Sequence, residues 1–279
     1  MLLGYNTNGF AHHDPFAALE ILAEIGYQSV AITLDHGPLN PFDSGWTANL
    51  ARLKDRLRQL GLKSVIETGA RFLLDPRHKH EPTLVSADAT ARQVRIDFLR
   101  RAIDAAAYLD SDCVSLWSGI RRDDASDEET LERLTESLRP VLRHATDSGV
   151  TLGFEPEPGM FIDTLQSYRR LLQWIDAPHL QLTLDLGHLW CQGELPIADY
   201  IARWRERLVN VHIEDMRAGI HEHLMFGDGE MQFPPILDAL ARANYLGGLH
   251  VELSRHSHEA PTAAQRAYDF LRPLVPDVN

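Results

Sequence analysis

Four ionisable residues stand directly after apolar runs in the second half of the chain, and together they could hold a metal ion. They are Glu155 in GFEPEPG, Asp185 in LTLDLGH, His212 in VNVHIED and Glu252 in LHVELSR. Any one of them could be an ordinary loop carboxylate or a solvated histidine. Burying three carboxylates and an imidazole in one place, however, is costly unless a cation neutralises them. Oxygen-rich ligation with one imidazole suits Mn²⁺, Mg²⁺, Co²⁺ or Zn²⁺.

A second group of candidate residues lies in the segment GARFLLDPRHKHEP. Arg71, Arg77, His78, Lys79 and His80 concentrate positive charge there. Charge-assisted hydrogen bonds from such residues could hold a phosphate or a carboxylate of a substrate. The alternative is a solvent-exposed loop, and the sequence leaves both interpretations open.

Two further residues end apolar runs and are candidates for substrate binding. Glu67 ends the run KSVIE and could also be a metal ligand, whereas Trp117 ends the run CVSLW. An indole ring can stack on the apolar face of a sugar, although buried aromatic residues more often belong to the core.

Short β-rich apolar runs that alternate with amphipathic segments must position these residues. The runs lack a clean polar alternation, which is typical of strands that are buried on both faces. The predicted strands are Leu2–Asn6, Ser29–Thr33, Lys63–Glu67, Cys113–Trp117, Thr151–Glu155, Gln181–Asp185, Leu208–His212 and Leu249–Glu252. The predicted helices are Pro15–Ile25, Thr47–Leu60, Ala87–Leu109, Asp127–Ser148, Thr164–Ile175, Ile197–Arg205, Pro235–Ala243 and Pro261–Leu274.

Eight strands that are each followed by a helix predict a single α/β domain over residues 1–279, a (β/α)8 TIM barrel. The active site of such a barrel lies at the C-terminal ends of the strands, where the candidate residues stand. A doubly wound open sheet is the alternative. It is disfavoured because no Gly-rich phosphate-binding turn follows the first strand. Eight strand–helix units are also more than a doubly wound sheet usually contains.

The bulk composition narrows the class of protein. The net charge of −13 disfavours binding to nucleic acids and to anionic membrane surfaces. Two cysteines cannot build a disulfide framework, and no apolar stretch approaches the ~20 residues of a bilayer span. The N-terminal segment MLLGYNTNGF does not read as a signal peptide. We therefore expect a cytoplasmic enzyme that acts on a small molecule.

The motifs LGFEPEPG, LDLGH, VNVHIED and HVEL occur in this order over much of the chain. With them, the sequence resembles the xylose isomerase-like TIM barrel superfamily of sugar phosphate isomerases and epimerases. That superfamily includes ketose 3-epimerases and, more distantly, endonuclease IV, and the resemblance covers nearly the whole chain. It implies that Glu155, Asp185, His212 and Glu252 bind the metal. His188 and Arg217 are similar to substrate-contacting residues of the epimerases.

The resemblance also implies a reaction on a small carbohydrate. Glu155 and Glu252 would flank the substrate and transfer protons through an enediolate that the cation stabilises. The expected activity is isomerisation or epimerisation of a sugar, a sugar phosphate or a cyclitol-type ketone. Because related barrels often form dimers or tetramers, a homo-oligomer is compatible with the resemblance.

Endonuclease IV-like members hold an additional zinc ion near the sixth and seventh strands, and His188, His221 and His223 could form a similar second metal site. A substrate-binding loop and two solvated histidines in a flexible lid are the alternatives. With more than one ion, the chain could be a multinuclear hydrolase of a small phosphate ester, and a lyase or dehydratase is a further alternative. Glu67 and Trp117 stand where the nuclease pattern needs histidines, which disfavours DNA repair.

Overall fold

Apolar strand segments alternate with helices along the chain, and the strands close on themselves as a parallel barrel. The computed structural model describes residues 1–175 and 177–275. Its strands are β1 Leu2–Asn6, β2 Ser29–Thr33, β3 Lys63–Glu67, β4 Val114–Leu116, β5 Leu152–Phe154, β6 Leu180–Asp185, β7 Leu208–Ile213, β8 Asp215–Arg217, β9 Ile220–Leu224 and β10 Gly248–Val251. The barrel runs in the order β1-β2-β3-β4-β5-β6-β7-β10 and closes where β10 pairs with β1. This confirms the predicted TIM barrel.

Helices follow the barrel strands and cover the outside of the sheet. They are α1 Pro15–Ile25, α2 Trp46–Leu60, α3 Ala89–Leu109, α4 Asp127–Asp147, α5 Leu165–Trp174, α6 Leu186–Gln192, α7 Ile197–Trp204, α8 Phe233–Arg242 and α9 Ala260–Leu271. Local sequence sets several of their ends. The Asp14 side chain accepts hydrogen bonds at the start of α1, where Pro15 is the first helical residue. Gly61 ends α2 in the left-handed conformation.

The barrel strands are buried on both faces, which explains why they lack polar alternation. Every residue of β2 and β10 is buried, and a continuous apolar core joins the strands to the surrounding helices. The strand ends agree with the predicted ones to within one residue, since each strand is a continuous apolar run.

Two elements near the seventh strand were not predicted. The strands β8 and β9 pair as an antiparallel hairpin that leaves the end of β7, and the short helix α6 begins directly after β6. Both elements lie at the C-terminal end of the barrel, where the candidate ligands are. Within residues 1–175 and 177–275, no helix is both long enough and apolar enough to cross a membrane.

Candidate metal centre

The four predicted metal ligands lie at the ends of four neighbouring strands. Glu155 directly follows β5, Asp185 ends β6, His212 lies in β7 and Glu252 directly follows β10. The barrel order places these strands side by side, and the register pairs Asp185 with His212. Successive ligands in the chain are 27 to 40 positions apart, so the barrel fold brings them together.

The imidazole of His212 lies at the centre of the group. Its Nδ1 atom is 2.9 Å from Glu252 Oε2, 3.1 Å from Glu155 Oε1 and 3.9 Å from Asp185 Oδ2. One ligand atom from each of the four residues lies within 4.8 Å of the others. Distances of this size are expected between atoms that share one ion at about 2.0–2.2 Å.

The donor set fits a divalent cation. Asp185 is 2% exposed, and its Oδ2 atom is a buried oxygen that has no hydrogen-bond partner among the described residues. An unpaired carboxylate oxygen in the interior is costly unless a positive charge compensates it. Three carboxylates and one imidazole suit Mn²⁺, Zn²⁺, Co²⁺ or Mg²⁺.

The protonation of the group follows from its burial and its mutual charges. Burial raises the pKa of Glu155 to about 7, against the opposing effect of His212. Burial also acts to raise the pKa of Glu252, but the charge and hydrogen bond of His212 hold it below its usual value. Burial acts to lower the pKa of His212, and the carboxylates of Glu155, Glu67 and Glu252 raise it well above its usual value. Without a cation, the imidazole therefore carries the positive charge of the centre.

Glu67 contacts the opposite edge of the same imidazole. Its Oε1 atom lies 3.0 Å from His212 Nε2, and Asn210 Nδ2 donates to the same oxygen at 3.1 Å. A carboxylate accepts hydrogen bonds, so this contact favours the tautomer with a proton on Nε2 and leaves Nδ1 for a metal ion. The structure places Glu67 against His212, one of the predicted metal ligands. The sequence had indicated that Glu67 itself contacts the substrate or the metal ion.

A buried polar chain continues from this point through the barrel interior. Asn210 Oδ1 lies 2.8 Å from His250 Nδ1, and His250 Nε2 lies 2.9 Å from Ser29 Oγ. Sequence analysis missed these residues because they lie inside apolar strand runs. The available signal was the unusual presence of Asn210 and His250 within otherwise apolar strands.

The predicted histidine cluster also assembles. His221 Nε2 lies 3.2 Å from His223 Nε2, and the ring centroids of His188 and His221 are 4.7 Å apart. Two acidic side chains border the cluster. Glu157 Oε1 lies 3.8 Å from His221 Nε2, and the fully buried Glu214 places Oε2 3.7 Å from His223 Nδ1. Helix α6 supplies His188 and strand β9 supplies the other two histidines.

A cavity of about 310 Å³ opens over three of the four predicted ligands, Glu155, His212 and Glu252. Besides the acidic residues, its walls contain three cationic side chains, those of Arg71, Lys79 and Arg255, and the large side chains of Trp117 and Met160. The lining residues are Asn6, Asn8, Thr33, Glu67, Gly69, Arg71, Lys79, His80, Trp117, Glu155, Glu157, Met160, His212, His221, His223, Glu252, Ser254 and Arg255. The cavity thus includes the predicted substrate-binding residues Glu67, Arg71 and Trp117.

Two predicted substrate-binding residues lie outside this lining. Arg217 is exposed at the end of β8, and its guanidinium donates to the carbonyl of Asp228 at 3.1 Å. His188 is 4% exposed, and its Nδ1 lies 3.2 Å from the carbonyl oxygen of Pro156. Substrate contact by either residue stays a prediction.

Comparison with known proteins gives the same architecture. The sequence profile of the family described as "Xylose isomerase-like TIM barrel" matches residues 19–274. L-ribulose-5-phosphate 3-epimerase UlaE of Shigella flexneri serotype 5b is 23% identical over 259 residues, which are 91% of this chain and 87% of that protein.

Solved structures of two epimerases superpose on nearly the whole chain. The D-allulose 3-epimerase of a Methylomonas species gives a TM-score of 0.78 at 19% identity and covers 99% of this chain and 98% of its own. The 3-keto-D-glucoside 4-epimerase YcjR of E. coli gives 0.79 at 18% identity and covers 98% and 99%. At such identities the likeness establishes the fold.

Proposed function

From the premise that the chain belongs to the xylose isomerase-like TIM barrel family, we propose that it is a metal-dependent isomerase or epimerase. Its substrate is a sugar, a sugar phosphate or a cyclitol-type ketone. The observation that carries the proposal is the placement of Glu155 and Glu252 on either side of His212 Nδ1, at 3.1 and 2.9 Å, facing one cavity. The relatives named above are epimerases, which supports the same class of reaction.

The two glutamates act as the proton-transfer pair. The hydrogen on the carbon beside a ketone is weakly acidic, and a positioned carboxylate can remove it while a second carboxylate returns a proton. In the metal-free protein the pKa of Glu155 is raised to about 7 and that of Glu252 is lowered, so burial and His212 already make the two carboxylates unequal as bases. A bound divalent cation supplies the positive charge that stabilises the enediolate form of the substrate.

Other residues of the cavity hold this pair and the substrate in place. Asn8 Nδ2 donates to Glu252 Oε1 at 2.8 Å, which fixes that carboxylate beside His212. Trp117 and Met160 add apolar surface to the wall, against which a sugar ring can stack. Such fixed geometry allows transfer to the opposite face of the carbon or to its neighbour.

A second candidate function is metal-assisted hydrolysis of a small phosphate ester, with a lyase or dehydratase as a related alternative. The observation that favours it is the meeting of His188, His221 and His223 beside the four-residue centre. A second ion on these histidines would give a multinuclear site. The number of ions bound per chain therefore discriminates the two functions, with one ion favouring the epimerase.

The proposal is tested by proton exchange in heavy water. Enzyme loaded with Mn²⁺ is incubated with a panel of ketoses and ketose phosphates, and deuterium beside the carbonyl is followed by NMR. We expect exchange and a new sugar product with at least one substrate. Glu155→Gln and Glu252→Gln each remove a proton-transfer group, so kcat should fall by a factor of about 10²–10⁴.

Glu206→Gln is the matched control, because that exposed carboxylate lies just before β7 at the opposite end of the barrel. Its activity should equal that of the unaltered enzyme. Hydrolysis of a phosphate ester, two ions per chain and no exchange with any ketose would replace the proposal with the hydrolase.

We also propose that this enzyme acts in the cytoplasm on a small carbohydrate.

A further inference from the structure

The loop that follows β3 brings positive charge to the mouth of the cavity in an otherwise acidic protein. The chain carries a net charge of −13, yet Arg71 and Lys79 of this loop both line the cavity. Arg255, which follows β10, joins them from the other side. Glu67, Glu155, Glu157 and Glu252 line the same cavity, so its walls carry both acidic and basic side chains.

A buried arginine of α3 holds this loop in shape. Arg95 is 2% exposed, and its guanidinium donates to the carbonyls of Thr68 at 2.9 Å, His80 at 2.6 Å and Pro82 at 2.8 Å. Thr68 begins the loop and His80 and Pro82 lie in its second half, so one side chain joins these two stretches of its backbone. The amide of His80 also donates to the carbonyl of Arg71 at 2.6 Å, which places Lys79 and Arg71 on adjacent stretches of backbone.

The cationic side chains have donors available for a ligand. Asp35 orients Arg71 by accepting from Nε at 2.6 Å, and Nη2 contacts the same oxygen, which leaves Nη1 for a ligand. Lys79 is exposed and forms no ion pair with any residue in the described ranges, and its three N–H groups can turn into the cavity. Arg71 is paired with Asp35 and Arg255 with Glu222, so among the described residues Lys79 is the cavity cation whose charge no carboxylate pairs.

His80 adds no positive charge of its own. Burial, together with the neighbouring cations, lowers its pKa to about 4, against the opposing effect of the hydrogen bond to the carbonyl of Gly69. Its Nδ1 lies 2.8 Å from the carbonyl of Gly69, which ties the ring to the loop. His80 is thus a neutral residue of the cavity wall.

We propose that Arg71 and Lys79 form an anion subsite, and that the natural substrate is an acidic ketose whose phosphate or carboxylate binds there while its ketone faces Glu155 and Glu252. This inference rests on the proposed function, because it names the substrate class of the same site. An arginine with a fixed fork and a mobile ammonium are a recurring pair for such anions.

The test compares substrates that differ only in the terminal group. The kcat/KM is measured for ketopentoses and ketohexoses that carry a terminal hydroxyl, a phosphate or a carboxylate, with the unaltered enzyme and with Lys79→Met. Removing one charge-assisted contact should lower kcat/KM about 10-fold to 100-fold for the anionic substrate and less than about twofold for the neutral one. The phosphate and carboxylate substrates show which anion the subsite prefers.

Arg77→Met is the matched control, since Arg77 is an exposed cation of the same loop that lies outside the cavity lining. Equal kcat/KM for neutral and anionic substrates, or an equal loss on both in Lys79→Met, would overturn the subsite and leave the epimerase standing. Inorganic phosphate, titrated calorimetrically, provides a readout without turnover. Binding that weakens in Lys79→Met but not in Arg77→Met supports the subsite even if no ketose reacts, whereas the absence of binding and of any ketose preference refutes it.

Discussion

Residue-scale geometry at His212 separates the roles of the carboxylates around it. Nδ1 faces Glu155, Asp185 and Glu252, whereas Nε2 faces Glu67 alone among the described carboxylates within hydrogen-bonding distance. A carboxylate behind a ligating histidine fixes its tautomer and makes it a stronger donor. Glu67 is therefore better placed to orient a ligand than to bind the cation itself.

Replacing Glu67 should consequently weaken metal binding. Glu67→Gln keeps the shape but loses the charge that holds a proton on Nε2, so the Kd for Mn²⁺ should rise about 10-fold to 100-fold. Calorimetric titration of metal-free enzyme measures this Kd directly. Glu81→Gln is the control, because that half-buried carboxylate of the following loop pairs with Arg122 away from His212. An unchanged Kd with a higher KM for the ketose would show that Glu67 contacts substrate instead.

At the scale of elements, the buried carboxylate of Asp215 holds the β8–β9 hairpin to residues 227–231, which follow β9 in the chain. Asp215 is 2% exposed and accepts hydrogen bonds from the amides of Met216 at 2.9 Å, Gly227 at 2.8 Å, Gly229 at 3.1 Å and Met231 at 3.0 Å. A Cβ atom at Gly229 would lie 2.3 Å from Asp215 Oδ1, so only glycine allows this close approach. The hairpin that carries His221 and His223 is fixed through this contact.

Asp215→Asn should therefore destabilise the protein. The amide group of asparagine would direct N–H donors at backbone amides that now donate to a carboxylate, and we expect a loss of about 2–4 kcal/mol in the free energy of unfolding. Urea denaturation measures the loss. Asp228→Asn, an exposed change in the same turn, should alter the free energy by less than about 0.5 kcal/mol. Similar losses in both variants would show that the hydrogen bonds of Asp215 are not what stabilises this part of the fold.

The same elements show how far sequence reasoning reaches. Continuous apolar runs predict the barrel strands, because burial on both faces leaves a local signal. The strand β9, IHEHL, is half polar and only partly buried, so its pairing with β8 has no such signal. The convergence of Glu155, Asp185, His212 and Glu252 is predictable because each ends an apolar run. The contact between Glu67 and His212 joins residues 145 positions apart and depends on barrel closure.

On the scale of the whole molecule, the metal centre joins four adjacent strands of the closed sheet. Glu155, Asp185, His212 and Glu252 extend from β5, β6, β7 and β10, so an ion bound to all four would tie half of the barrel together. An ion that binds only the folded chain stabilises it by about 2.7 kcal/mol at 100 times its Kd. For a chain of this size, chelation should lower the Tm by about 5–10 °C at pH 8.

The shift in Tm should become smaller as the pH falls, because protons compete with the cation. In the metal-free protein the pKa of His212 is raised well above its usual value and that of Glu155 is about 7, so both groups are mainly protonated at pH 6. The cation needs a bare Nδ1 and a bare carboxylate, and its Kd must therefore rise as the pH falls through 7. Calorimetry at pH 7 in buffers of different ionisation enthalpy should detect one to two released protons, at most one from each group. Asp185→Asn should abolish the Tm shift at every pH, and a shift that grows toward pH 6 would contradict ligation by His212.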